Sequence, residues 1–253
     1  MMADRPSARR ILLTLSYDGT GYAGWQRQAN ALAVQEVLEK ALHRATGEAM
    51  GVTGASRTDA GVHALGQAAH FDTSCSIPPE KFSFVLNTML PPDIRVLFSR
   101  QVPNDFHARF SAKGKTYTYR IHNAPHASAL MRSMSAHVPV PLDEAAMDEA
   151  AQLIVGTHDF AAFQASGGTA KTTLRTITLA HVMRQGQAVV LVVSGNAFLY
   201  NMVRILAGTL IEIGQGALEA SSLSKAIETG NRLLLGPTAP ARGLELTEVM
   251  YDL

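Results

Sequence analysis

Apolar and polar positions alternate with two different periods along this chain, and the switches between them lay out its elements. Ile11-Leu12-Leu13-Thr14-Leu15 reads as a half-buried first strand. After the Gly-rich loop Asp18 to Gln26, the residues Val34, Val37, Leu38, Ala41, Leu42 and Ala45 recur at helical spacing, and Gly47 ends that helix. A strand around Ala69 to Phe71 follows, then a helix opened by proline near Glu80 to Asn87 and a strand at Ile94 to Phe98. Counting the Arg57/Asp59 segment ahead of the Ala69 strand, the order is βαββαβ-like. Beyond it come a strand at Lys115 to His122, a capped helix at Leu142 to Val155 and strands at Ile177 to Val182 and Ala188 to Ser194. A long helix, a short one and a closing strand at Leu244 to Tyr251 complete the chain. No self-similarity at a fixed period accompanies this order, so two related α+β halves meeting near residues 100 to 112 is a reading of the elements alone. It sets the domains at 1–105 and 106–253.

Composition narrows the class. With 253 residues, 47% hydrophobic and 17% charged, the chain can bury one large core or two moderate ones as a soluble globular protein. Disorder is expected only at the N-terminus. The arginine-bearing start, Met1 to Arg10, runs into a short apolar stretch as a signal peptide would, but Tyr17, Asp18 and Gly19 interrupt it and no small-residue cleavage site follows. The longest apolar run, Ala197 to Ile213, is broken by Asn201, Arg204 and Glu212, which argues against a membrane span. These features place the protein in the cytoplasm. Cys75, the single cysteine, excludes an internal disulfide framework and a Cys-cluster zinc site. A net charge of +1 does not announce a nucleic-acid binder. Arg57, Arg109, Arg120, Arg175 and Arg204 can still supply fork-like phosphate contacts locally, with solvated surface arginine as the plain alternative.

The segment Gly54 to Gln67 concentrates the candidate chemistry. In extended backbone Arg57 and Asp59 leave on one face and Thr58 on the other, so an acid and a guanidinium face the same space. A structural ion pair stapling a turn would look similar, but Gly54 and Gly61 bracket the pair where bulk would block a ligand. Gly19-x-Gly21-x-x-Gly24 has dinucleotide-motif spacing yet leads into Trp25-Gln26 rather than a helix, and reads as a loop without a cofactor. His63, His70 and His107 show no metal-ligand spacing and read as satisfied or surface histidines, so no metal is expected. Aromatic and basic residues interleave from Phe106-His107-Ala108-Arg109-Phe110 into Lys115-Thr116-Tyr117-Thr118-Tyr119-Arg120. There Tyr117 can offer its ring to a base, or the tyrosines can pack in the sheet with hydroxyls in water. The loop Ser166-Gly167-Gly168-Thr169-Ala170-Lys171 suits a phosphate or is a mere connector. Arg204, on a helix read to include Phe198, Met202, Ile205 and Leu206, is a buried arginine in want of an anion, and Asp59 is a candidate. Asp159, taken as helix C-terminal, is the one suggestive second carboxylate for a glycoside or nucleoside hydrolase. A non-catalytic module of two RRM-like halves lacks the aromatic strand signature it would need.

Taken together the pieces resemble the tRNA pseudouridine synthase A family. The resemblance runs from Tyr17-Asp18-Gly19-Thr20 and Gly24-Trp25-Gln26 through Arg57-Thr58-Asp59-Ala60-Gly61-Val62-His63 to Phe106-His107-Ala108-Arg109-Phe110. It continues in Lys115-Thr116-Tyr117, Asn196-Ala197-Phe198-Leu199, Met202-Val203-Arg204 and Thr238-Ala239-Pro240-Ala241-x-Gly243-Leu244. Asn201 and Ile205 depart from it, standing where histidine and asparagine are often seen. It implies isomerisation of uridine to pseudouridine at positions 38 to 40 of the tRNA anticodon stem-loop, without cofactor or metal. The implied fold is α+β, with two related RRM-like halves of antiparallel or mixed sheet, flanking helices and a central RNA-binding cleft. Asp59 would act on the sugar or base, as nucleophile or as proton acceptor. Arg57 would replace the extruded uridine, Tyr117 stack on it, Arg204 keep Asp59 ionised and Leu244 close the apolar side. Phe106 to Phe110 and Gly167, Gly168, Thr169, Ala170 and Lys171 would contact tRNA, held by a homodimer.

Overall fold

The structure, a computed structural model, describes residues 8–253; the first seven positions, with most of the basic start, lie outside the described residues. The chain packs as two compact units, one made of residues up to Lys113 together with Leu246–Leu253, the other of Gly114–Glu245.

In the first unit β1 (Arg9–Tyr17) is flanked by two antiparallel partners, β3 (His63–Thr73) and β4 (Ile94–Val102), with Leu13 opposite Ala69 on one side and Ser99 on the other. The two-residue β2 (Thr53–Gly54) pairs with β3. Ile11, Leu13, Leu15 and Tyr17 are buried at every second position, as a strand covered by helices requires. Helix α1 (Val34–Thr46) buries Val34, Leu38, Ala41 and Leu42 and ends where Gly47 takes φ +72°, the left-handed conformation glycine adopts without penalty. A 3-10 turn at Pro79–Lys81 leads into α2 (Phe82–Asn87), whose Phe82 meets Phe71 of β3 edge-on at 5.2 Å.

The other face of β1 has its own small core. Leu12, Ala68 and Val102 pack with Ala55, Phe106 and Ala108, and Val249 and Tyr251 close against them. Arg10 fastens its edge, gripping Asp72 through two bonds of 2.7 Å and donating to Phe106 O at 2.6 Å. This cluster is why the packing units differ from domains drawn at 1–105 and 106–253. Phe106 to Lys113 and the end of β10 (Leu244–Met250) fold back with the first half: Tyr251 Oη donates to Ala108 O and Lys113 N to Met250 O.

The second unit orders β5 (Gly114–Asn123), β9 (Ala188–Gly195), β8 (Leu174–Gln185) and β7 (Gly156–Asp159) as antiparallel neighbours, with β6 (Ala136–Val138) parallel to β5. Helix α3 (Glu144–Gln152) is shorter than its periodicity suggests, because Asp143 caps it through Ala146 N and its last turn gives way before β7. It is tied to β8 by Asp148, which accepts from Val182 N at 2.8 Å. Helix α4 (Met202–Gly214) is buried almost throughout, and α5 (Ser221–Thr229) ends at Gly230 with φ +67°. Phe198 precedes α4 rather than riding on it, and Asp159 ends strand β7 instead of a helix.

His70 lies in the small core, where its Nδ1 accepts from Ala108 N at 3.1 Å. Burial, then Arg10 and His107, push its imidazole down to about 4. An unfolded histidine titrates near 6.5, so between 6.5 and 4 the unfolded chain holds the extra proton and stability falls as pH falls. Urea unfolding at pH 7 and 4.5 should show His70→Asn losing less stability over that interval than the parent, by on the order of 2 kcal/mol.

Candidate active site

Asp59 stands between β2 and β3 on a stretch without regular secondary structure. Its backbone is fastened nonetheless at nearly every residue. Gln67, fully buried on β3, clamps Ser56 in both directions: Nε2 donates to Ser56 O at 2.7 Å, and Ser56 N donates to Oε1 at 3.2 Å. Thr58 Oγ1 lies 2.7 Å from Tyr17 Oη, and Thr58 O accepts from Trp25 N at 3.0 Å. Val62 N turns back to Asp59 O at 3.1 Å, and Gly61 N donates to Tyr22 O at 3.3 Å. Each buried polar group left unpaired would cost about 1–3 kcal/mol, so the full set of pairings selects one loop conformation. Thr58 is turned into the core while Arg57 is exposed and Asp59 half-buried, the division of faces expected of an extended stretch.

The glycine spacing upstream serves this loop. A Cβ on Gly19 would overlap Val62 O and one on Gly24 would overlap Thr58 O, and Gly24 also has φ +86°. Gly21, by contrast, faces open space. Trp25 slides beneath Gly54, where any side chain would strike the indole. His63 is buried and its Nδ1 accepts from Gly19 N at 3.1 Å, tying the far end of the loop to the same strand end.

In the second unit Tyr117, Tyr119 and Ile121 are buried on β5, with Thr118 between the tyrosines buried as well. Tyr117 meets Phe198 edge-on at 5.0 Å. Tyr119 does not send its hydroxyl to water: it donates to Pro240 O at 2.8 Å. Arg204, in the first turn of α4, is half-buried rather than buried. Its Nε donates to Ala239 O at 2.8 Å and its Nη1 to Asn201 Oδ1 at 2.8 Å. Ala239 N returns a bond to Arg204 O at 3.0 Å, so the helix turn and the 236–240 segment grip each other. Asn201 has φ +60°, alone among the described non-glycine residues in that region, which asparagine tolerates better than most. The departure at this position therefore supplies both the turn and a partner for Arg204. Leu244, buried, opens β10 directly after the 3-10 turn Ala241–Gly243.

Of the RNA-contact candidates, Phe106 and Ala108 are buried in the small core, so their segment offers His107, Arg109 and Phe110 to a partner. Gly167, Thr169, Ala170 and Lys171 lie on an exposed loop, with Gly168 half-buried and Gly167 at φ +90°. Arg120 is committed to Glu245 at 3.0 Å. The exposed Asp159 accepts from Ala161 N at 3.0 Å, a local cap that leaves it no evident acid–base task. The mounting role of Gln67 and Tyr17 has one sequence signal, a glutamine inside a strand of buried small residues. Among the described residues no group of three or more His, Cys, Asp or Glu is placed to hold a metal ion, and no helix is long and apolar enough to cross a membrane.

Comparison with known proteins gives consistent matches. Residues 14–111 and 150–252 match the model of a family described as tRNA pseudouridine synthase. The chain is 53% identical over 244 residues to tRNA pseudouridine synthase A of Ruminiclostridium cellulolyticum, covering 96% of this chain and all of that protein. It is 50% identical over 243 residues to the protein of the same name from Acetivibrio thermocellus and 42% identical over 243 to that from Caldicellulosiruptor bescii, with the same coverage.

The packing of Gly24 makes a direct test of the loop. Gly24→Ala should destabilise the fold by about 2–3 kcal/mol, since it combines positive φ with a backbone overlap, whereas Gly21→Ala should stay within about 0.5 kcal/mol. Chemical denaturation of the two variants checks the contrast.

Proposed function

The chain belongs to the tRNA pseudouridine synthase family, isomerases that act on tRNA, and we propose that it converts uridine to pseudouridine at positions 38, 39 and 40 of the anticodon stem-loop with Asp59 as the reacting carboxylate. One observation carries this: Asp59 is half-buried on a loop whose neighbours are pinned by Gln67, Tyr17 and Trp25, with Arg57 exposed beside it. A carboxylate used in chemistry needs that kind of fixed mounting.

The reaction balances within the substrate. The N1–C1′ bond breaks, the uracil turns, C5 bonds to C1′, the C5 proton leaves and N1 takes one up, so no cofactor is called for. Asp59 either adds to a carbon of the nucleotide or takes a ribose proton. Arg57 enters the space left by the extruded uridine and holds phosphate. Tyr117 stacks on the base and its hydroxyl assists loss of the C5 proton. Arg204, its guanidinium steadied by Asn201 and Ala239, keeps the reacting carboxylate ionised, and Leu244 supplies an apolar wall. The Phe106 to Phe110 segment and the Gly167 to Lys171 loop contact tRNA. The same reading takes each half as RRM-like, the working form as a homodimer and its place as the cytoplasm.

Tritium released from C5-labelled unmodified tRNA measures turnover. Asp59→Asn should give no release above background while melting and binding tRNA like the parent; turnover in that variant removes Asp59 from its role. Tyr117→Phe separates two tasks. Retained binding with stalled product means the hydroxyl moves the proton, and near-normal product means the ring only stacks.

A further inference from the structure

Phe110 is 76% exposed, yet its ring is not without neighbours. Its ring lies 4.3 Å from that of His107 at an interplanar angle of 32°. His107 in turn stands 5.0 Å from His70, which meets Phe106 edge-on at 6.2 Å. The turn carrying them is locked, because His107 Nδ1 accepts from both Arg109 N and Phe110 N, and Ser111 bonds His107 through N and Oγ. Arg109 Cζ lies 5.7 Å over the Phe110 ring, and no ion pair of Arg109 is found among the described residues. Single exposed apolar side chains are ordinary. A run of ring contacts from buried Phe106 through His70 and His107 to an exposed phenyl with a guanidinium over it is not.

The adjoining cavity, about 410 Å³, selects the occupant. Pro103, Phe106, Phe110 and Leu253 give it apolar walls, and Asp105, Ser111 and the Asp252–Lys113 pair, 3.2 Å apart, complete the lining. With Asp252 balanced by Lys113, the lining carries one further carboxylate, Asp105, able to accept from a base amine, and apolar walls that suit the face of a nucleobase better than a phosphate. The place is also distinct from the reacting centre. His70 is seven residues along β3 from His63, roughly 23 Å at strand spacing, and the turn carrying Asp59 runs into the His63 end, Val62 N bonding Asp59 O.

We propose that Phe110, backed by His107 and His70, is a stacking platform for an unpaired base of the tRNA at the end of β3 far from Asp59. This rests on tRNA being the substrate, and it adds a second base contact to the one at Tyr117. Pre-ordering of the ring keeps the entropy cost of binding low.

The test uses unmodified full-length tRNA transcript. In Asp59→Asn protein, adding Phe110→Ala should weaken tRNA binding about tenfold, the size of one lost base–aromatic stack, while Phe110→Trp restores it and Phe110→Leu does not. With Asp59 intact, Phe110→Ala should raise KM in proportion and leave kcat within about twofold, with unchanged melting. Binding and KM within twofold of the parent overturn the proposal. Rescue by Phe110→Leu overturns it too, since a merely apolar partner, such as another protein surface, would accept leucine. If the parent makes no pseudouridine on any tRNA but the Phe110 series still orders binding in this way, the enzymatic reading fails and the platform stands.

Discussion

Backbone lies directly on backbone where residues 19–24 meet residues 58–62, with no side chain between, and the placement of Asp59 depends on that contact. Peptide groups at this range exchange hydrogen bonds at fixed geometry, as Trp25 N does with Thr58 O and Gly61 N with Tyr22 O. Side-chain packing tolerates a rotamer change or a lost methyl; two touching backbones tolerate neither. The requirement propagates outward. Gly19 and Gly24 must lack a Cβ, Trp25 must find room under Gly54, and Gln67 must be buried where a strand would ordinarily carry an apolar residue.

The second unit uses the same physics around Arg204. Ala239 exchanges two bonds with that residue, one to its backbone and one to its side chain, and a Cβ on Gly208 would overlap Pro237 O. Thr209 supplies the remaining stitch, donating to Ile205 O at 2.8 Å and accepting from Gly236 N at 3.0 Å. The segment held in this way delivers Leu244 to the start of β10, with Gly243 close against Tyr119. Rigid mounting is thus a property of each group singly, set by donors and acceptors that are not themselves chemical actors.

Much of this was legible in the sequence because period and punctuation carry it. The strand at Ile11 to Leu15, the helix closed by Gly47 and the tyrosine strand at Lys115 to His122 all follow from patterns that local sterics enforce. Strands of three or four residues, β6 and β7, are too short to show a period. Arg204 has apolar helix neighbours and is only half-buried, because a first-turn position faces the capping segment as much as the core. Alternation along the 106–110 segment sends Phe106 and Ala108 inward and leaves His107, Arg109 and Phe110 outward. The glycines of the G-x-G-x-x-G spacing at positions 19 and 24 pack against residues 58 to 62, about 40 positions away, and no local pattern reports that.

Trp25 is the chain's single tryptophan. It is 1% exposed, 6.2 Å from the Tyr17 ring, and its amide bonds the residue before Asp59. All the indole emission of this protein therefore originates beside the Asp59 loop. A blue-shifted spectrum reports that loop seated, quenching by acrylamide reports it opening, and a ligand that shifts the loop announces itself optically without any label.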